Sequence, residues 1–194
     1  MTLLNYTDPV PTPAPLTSGS TVQTYTDPTG EVWVAKNGVN GGNWLKARDV
    51  LHARWWRSAN WTVTASVQAV TLDTSNFDKY GLWVPASTAF VTPAAGLYSV
   101  YAGYAIAATA VGNFTNLMIR YGGPAGSGGQ RIIQEQSTSS GTATGTYIFA
   151  YITWTAVVGD TFWMEAYSTS AGLPFTGQVG TQMTYFGIDY LGTG

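Results

Sequence analysis

Phe90-Val-Thr-Pro-Ala-Ala-Gly-Leu-Tyr-Ser-Val-Tyr-Ala-Gly-Tyr-Ala-Ile106 reads as a short strand, a turn through Pro93 to Gly96, and a longer strand leaving from Leu97. Strand side chains alternate between faces, so Tyr98, Val100, Ala102, Tyr104 and Ile106 share one face. Leu97, Ser99, Tyr101, Gly103 and Ala105 share the other, which is also largely apolar. A strand apolar on both sides needs cover on both sides. In a sandwich the second sheet covers one face, and another subunit is expected to cover the other. The segment Thr144–Thr155 poses the same problem. Tyr147, Phe149 and Tyr151 lie on one face, and Ile148, Ala150, Ile152 and Trp154 on the opposite one. Alternation alone leaves open which face meets the core.

Composition supports an assembly. Of 194 residues only 9% are charged, whereas 45% are hydrophobic and 14% aromatic. An average globular domain carries roughly 25% charged residues. So uncharged a surface invites self-association unless other copies cover it. A monomer with a Thr, Ser, Gly and Asn surface is the alternative. The chain has no cysteine, which excludes disulfides and thiolate chemistry. Met1–Pro9 has neither a basic start nor an apolar run, so a signal peptide is not expected, nor is a membrane span. Asn5, Asn60 and Asn113 head Asn-x-Ser/Thr triplets and are read as loop residues.

The net charge of −2 is unevenly placed. Lys36, Lys46, Arg48, Arg54 and Arg57 occur with one acid, Asp49, giving that stretch five bases against one acid. The rest of the chain has three bases against nine acids. Such a stretch is either a docking surface for an acidic partner or a set of internal ion pairs.

Three regions follow. Residues 1–20, with Pro9, Pro11, Pro13 and Pro15, form an extended polyproline-like arm. Residues 21–50 form a small β neck with turns at Asn37-Gly38 and Asn40-Gly41, or a helical turn in place of its last strand, at 44–50. Residues 51–194 form an all-β sandwich. Its expected strands are Leu51–Trp56, Thr62–Ala65, Ser66–Leu72, Gly81–Val84, Ala89–Val91, Leu97–Ala107, Asn116–Tyr121, Gln130–Glu135, Thr144–Thr155, Thr161–Tyr167 and Met183–Tyr190. The Gly-rich run 122–129 lacks the Gly-Lys-Ser/Thr ending of a phosphate loop.

Four motifs carry a family resemblance. Phe90-x-x-Pro93-x-x-Gly96-x-Tyr98 resembles the signature of the complement globular-head branch of the tumour necrosis factor superfamily. Val158-Gly-Asp-Thr-Phe-Trp-Met164 is similar to that family's turn before a Trp-containing strand, and Thr184–Tyr190 to its closing strand. Val70–Asp73 resembles a short strand ending in Phe-Asp. The resemblance spans roughly residues 51–192. It implies a ten-stranded jelly roll assembling as a homotrimer, with Tyr101, Tyr147, Phe149, Tyr151 and Phe186 as candidate interface residues. The family's calcium-binding acids find no counterpart, so no metal or other cofactor is expected. The segment Gly30–Arg54 resembles bacteriophage virion proteins that carry this jelly roll behind a short N-terminal module.

Catalysis is not expected. His52 is the one histidine, and no Gly-x-Ser-x-Gly elbow exists. Asp73, Asp78, Asp160 and Glu165 are conceivable glycosidase carboxylates but read better as turn and surface acids. Trp44, Trp55 and Trp56 are candidates for stacking on a glycan, or for packing the neck against the jelly roll. Eight Lys and Arg in all argue against nucleic acid. The expected function is therefore structural. A trimeric capsid decoration or head-fibre protein would sit on the virion exterior, assembled in the host cytoplasm. Its contact with the major capsid protein would use Pro9, Pro11, Pro13, Pro15, Lys46, Arg48, Arg54 and Arg57. The alternative is a receptor-binding tail protein that recognises host-surface glycan.

Overall fold

The structure, a computed structural model, describes residues 21–63, 65–106, 114–122, 129–138, 146–169, 173–175 and 184–193. The first strands are β1 (Gln23–Thr26), β2 (Val32–Ala35) and β3 (Leu45–Lys46), followed by a single helical turn, α1 (Ala47–Val50). Next come β4 (His52–Trp56), β5 (Trp61–Val63), β6 (Gln68–Ala69), β7 (Thr74–Phe77), β8 (Trp83–Val84) and β9 (Ala89–Val91). The long strands are β10 (Gly96–Ile106), β11 (Phe114–Gly122), β12 (Gln130–Thr138), β13 (Thr146–Ala156) and β14 (Thr161–Ser168). Two more close the chain, β15 (Leu173–Phe175) and β16 (Tyr185–Gly192). Among the described residues, no helix is long and apolar enough to cross a membrane.

Two sheets make the sandwich. In the first, β10 is flanked by β13 and β16, and β4 and β7 follow beyond β16. In the second the order is β12-β11-β14-β9-β8, with β6 also on β14. The β10–β13 register sets Tyr98 opposite Trp154, Val100 opposite Ile152 and Tyr104 opposite Ile148. On the other flank of β10, Ala102 lies opposite Phe186 and Val100 opposite Ile188. That set faces Leu117, Ile119, Phe162 and Met164 of the second sheet in one buried cluster, with Ile152 and Trp154 partly buried against it. The face of β10 carrying Tyr98 is therefore the core face. The buried hydroxyls find acceptors: Tyr98 donates to the Ala94 carbonyl at 2.7 Å and Tyr104 to the Asn116 carbonyl at 3.0 Å.

These contacts explain the motif around Pro93. The Tyr98 hydroxyl ties the strand back to the turn, since Ala94 directly follows the proline. Gly96 has φ of +151°, and a side chain there would collide with the Tyr190 ring and the Gly192 carbonyl.

The expected neck residues pack directly on the sandwich. Val32, Val34 and Ala47 belong to the same buried cluster as Leu51 and Tyr190. Residues 47–50 form the helical turn, the alternative to a strand there. Asp27 locks the entry to β2. Its carboxylate accepts from the Thr29 hydroxyl at 2.6 Å, the Thr29 amide at 2.8 Å, the Glu31 amide at 3.0 Å and the Trp33 indole at 3.0 Å. These bonds, the Thr29 hydroxyl foremost, lower its pKa from 3.8 to about 2. A carboxyl depressed in the fold gives full support above its unfolded value and loses it as pH falls. Acidification from pH 4 to 2 should therefore release Trp33 and red-shift its emission. Trp33→Phe should remove that change, and a change that survives Trp33→Phe would contradict this account.

Several expected strands differ in extent. Ser66–Leu72 contracts to the two residues of β6, although Val70 still donates to the Met164 carbonyl at 2.9 Å. β7 and β15 arise where no strand was expected, because their polar or short sequences carry little alternating signal.

Candidate functional site

The outward face of the first sheet is the site the fold builds. The registers define its rows. Tyr151, Tyr101, Gly187, Arg54 and Phe77 run across β13, β10, β16, β4 and β7. The next row is Phe149, Gly103, Tyr185 and Trp56. On the other side of the Tyr101 row lie Thr153, Ser99, Asp189 and His52. Tyr147, Phe149 and Tyr151 are 49%, 49% and 51% exposed. Three large aromatic side chains half in water on one strand make an exposed apolar row of the kind that marks interaction surfaces.

The interior of this face is already ordered. Gly187 lies beneath the Tyr101 ring, and Gly103 lies beneath Tyr147 and Tyr185, so side chains at either glycine would displace a tyrosine. The Tyr147 hydroxyl donates to the Tyr185 hydroxyl at 2.9 Å, and the Arg54 guanidinium stacks 4.0 Å from the Tyr185 ring centre. Burial, with a smaller contribution from Asp189, pushes the Tyr101 hydroxyl up to about 12. Burial likewise raises Tyr147 and the Asp189 carboxyl. These tyrosines are neutral at physiological pH. The face thus presents aromatic surface with two embedded charged side chains, Arg54 and Asp189.

No family model matches the chain, and no curated protein matches it. Solved structures do. The globular domain of zebrafish complement 1qA aligns with TM-score 0.56 and 11% identity, over 74% of this chain and 98% of that one. The Eiger tumour necrosis factor of S. frugiperda aligns with TM-score 0.52 and 12% identity, over 74% and 93%. Murine APRIL gives TM-score 0.54 and 10% identity, over 72% and 98%. The fold is the C1q and tumour necrosis factor jelly roll. At these identities the likeness establishes architecture, and the chemistry has to come from this chain's own residues.

On that jelly roll the expected interface residues divide. Tyr101, Tyr147, Phe149 and Tyr151 lie on the outward face. Phe186 does not. It is 0% exposed, with its ring centre 5.1 Å from that of Phe90, inside the sandwich. Its place on the outward face is taken by Tyr185, because pairing of Phe186 with Ala102 fixes the alternation of β16 the other way. Tyr185, Gly187 and Asp189 were not singled out from the sequence. The Tyr185-Phe186 pair offered two aromatics to choose from, and Gly187 has no side chain to break the tie.

The basic residues serve separate purposes. Lys46 and Arg48 both pair with Glu31, at 3.9 and 3.2 Å, which favours internal pairing over a docking patch for these two. Arg57 donates to the Thr71 carbonyl at 2.6 Å and the Ala59 carbonyl at 3.1 Å. Arg54 belongs to the tyrosine face. Pro9, Pro11, Pro13 and Pro15 lie outside the described residues.

Trp44, Trp55 and Trp56 are not brought onto one surface. Trp55 turns inward, stacks on Trp83 with centres 5.9 Å apart, and donates to Asp78 at 2.9 Å. Trp56, the next residue along β4, is on the outward face opposite Tyr185. Trp44 packs edge-on against Tyr25 at 6.3 Å. The four conceivable catalytic acids hold structure. Asp160 accepts from Tyr121 at 2.6 Å and from the Val157 amide at 2.7 Å. Glu165 accepts from Arg120 at 2.7 Å and from the Trp163 indole at 2.8 Å. Asp78 accepts two further amides, from Leu82 and Trp83, and Asp73 accepts the Ser58 amide.

Proposed function

We propose that this protein is a non-enzymatic structural protein that works as a homotrimer, with the outward face of the first sheet turned toward the three-fold axis. One observation carries the reading: the half-exposed row Tyr147, Phe149 and Tyr151 continues into an ordered bed of Tyr101 and Tyr185 on glycine. Such a surface is stable in water when other copies cover it. The jelly-roll architecture supports it, because the family this chain resembles assembles in this way.

The finer reading is a bacteriophage virion protein, a decoration or head-fibre protein on the capsid exterior. Its support is the resemblance of Gly30–Arg54 to virion proteins, together with the proline-rich residues 1–20. Three arms joined in one trimer raise the effective concentration of each, so weak contacts with the major capsid protein add up to firm attachment. Glycan recognition through Trp44, Trp55 and Trp56 has less support, since Trp55 is turned into the core. The test is deletion of residues 1–20, followed by co-sedimentation with undecorated capsids. Loss of binding with trimers intact is the expected result. Undiminished binding would remove the arm from the mechanism.

A further inference from the structure

We propose that Arg54 of one copy pairs with Asp189 of its neighbour, so that the outward face is electrostatically complete only in the assembly. The inference rests on the trimer reading above and specifies what holds that interface in register.

Neither charge has a close counterpart among the described residues. Among the described residues, no carboxylate lies within 4 Å of Arg54 and no Lys, Arg or His nitrogen within 4 Å of Asp189. The Arg54 Nε is buried and has no hydrogen-bond partner. Asp189 receives one long bond, from the Ser99 hydroxyl at 3.4 Å.

The backbone explains why they do not meet. Arg54 is opposite Gly187 on β16, and Asp189 is opposite His52 on β4. Tyr185 and Asp189 lie two residues to either side of Gly187. Arg54 leans over Tyr185, hence away from Asp189. His52, opposite Asp189 in register, packs edge-on to Phe77 at 5.2 Å and acts on Asp189 only from beyond ion-pair distance.

A cation with unfilled donors and a carboxylate with unfilled acceptors on one face are self-complementary. In a cyclic trimer the contact between neighbours is heterologous, so a residue of one copy meets a different residue of the next. Burying either charge unpaired is strongly unfavourable, and pairing them across the contact offsets this while fixing register. Burial raises the Asp189 carboxyl although His52 and the Ser99 hydroxyl act to lower it, and a guanidinium from the next copy would lower it further.

Charge exchange tests the pair by sedimentation equilibrium. Arg54→Asp and Asp189→Arg should each weaken association by about tenfold or more, and the double exchange should restore most of it. A neutral cycle of Arg54→Met, Asp189→Asn and both together guards against misfolding of the reversals. The combined neutral variant should lose much less than the product of the two single losses. Variants that associate like the wild type, or losses that simply multiply in both cycles, overturn the pair and leave the trimer standing. A wild-type protein that stays a single chain overturns the trimer reading and the pair with it.

Discussion

Replacing Tyr147, Phe149 and Tyr151 together with serine should convert the protein from a trimer into a folded single chain. Each side chain is about half exposed, so about half of the roughly 2–3 kcal/mol of a fully buried aromatic remains to be gained on assembly, or about 1 kcal/mol. Three such residues in each of three copies amount to about 9 kcal/mol per trimer, roughly six powers of ten in the assembly constant. The mass read by light scattering should fall from three times 20.7 kDa to 20.7 kDa. The isolated subunit should also lose some stability, since the buried half of each side chain contributes about 1 kcal/mol within its own chain. The internal contacts removed include the Tyr147 bond to Tyr185 and the packing of Tyr147 over Gly103. A variant that still sediments as the trimer would show that this strand is not at the interface.

Phe186→Ala should do the reverse. Phe186 is wholly enclosed between Phe90 and the residues of β10 and β4, so truncation leaves a cavity that the sandwich cannot fill by collapse. The expected loss is about 3–5 kcal/mol of subunit stability. For a chain of this size that lowers the melting temperature by roughly 6–20 °C. The denaturation midpoint should drop while any variant that remains folded still assembles. A Phe186→Ala protein with unchanged midpoint and lost association would return this residue to the interface.

The contrast between these two variants shows where the sequence is informative. The long strands are legible because β10 and β13 alternate over eleven residues each, and the observed bounds differ from expectation by one or two positions at most. Their doubly apolar character called for cover on both faces, and the second sheet supplies it on the Tyr98 face. Alternation could not say which layer was the core, since Tyr98 and Tyr101 have the same chemistry. Only packing against the second sheet decides, by burying Tyr98 and Val100 with Leu117, Ile119, Phe162 and Met164.

The candidate site was legible in part. Tyr101 and the row on β13 follow from the period of two. Arg54 was visible as one of a cluster of charges, but a linear count cannot see that β4 turns Arg54 outward while Arg48 on the preceding helical turn meets Glu31. Trp55 and Trp56 looked like a pair because they are adjacent, and adjacency in a strand is what separates them. Asp189 carried no signal, because its interest lies in the missing partner. β7, with the sequence Thr-Ser-Asn-Phe, has no apolar period to detect and is held by its register with β4.

Sedimentation equilibrium of the full chain at neutral pH, across a wide range of concentrations, tests the central claim most directly. The tyrosine face should bring three chains together, giving a species of three times 20.7 kDa that persists on dilution. A single species of 20.7 kDa at every concentration would contradict it.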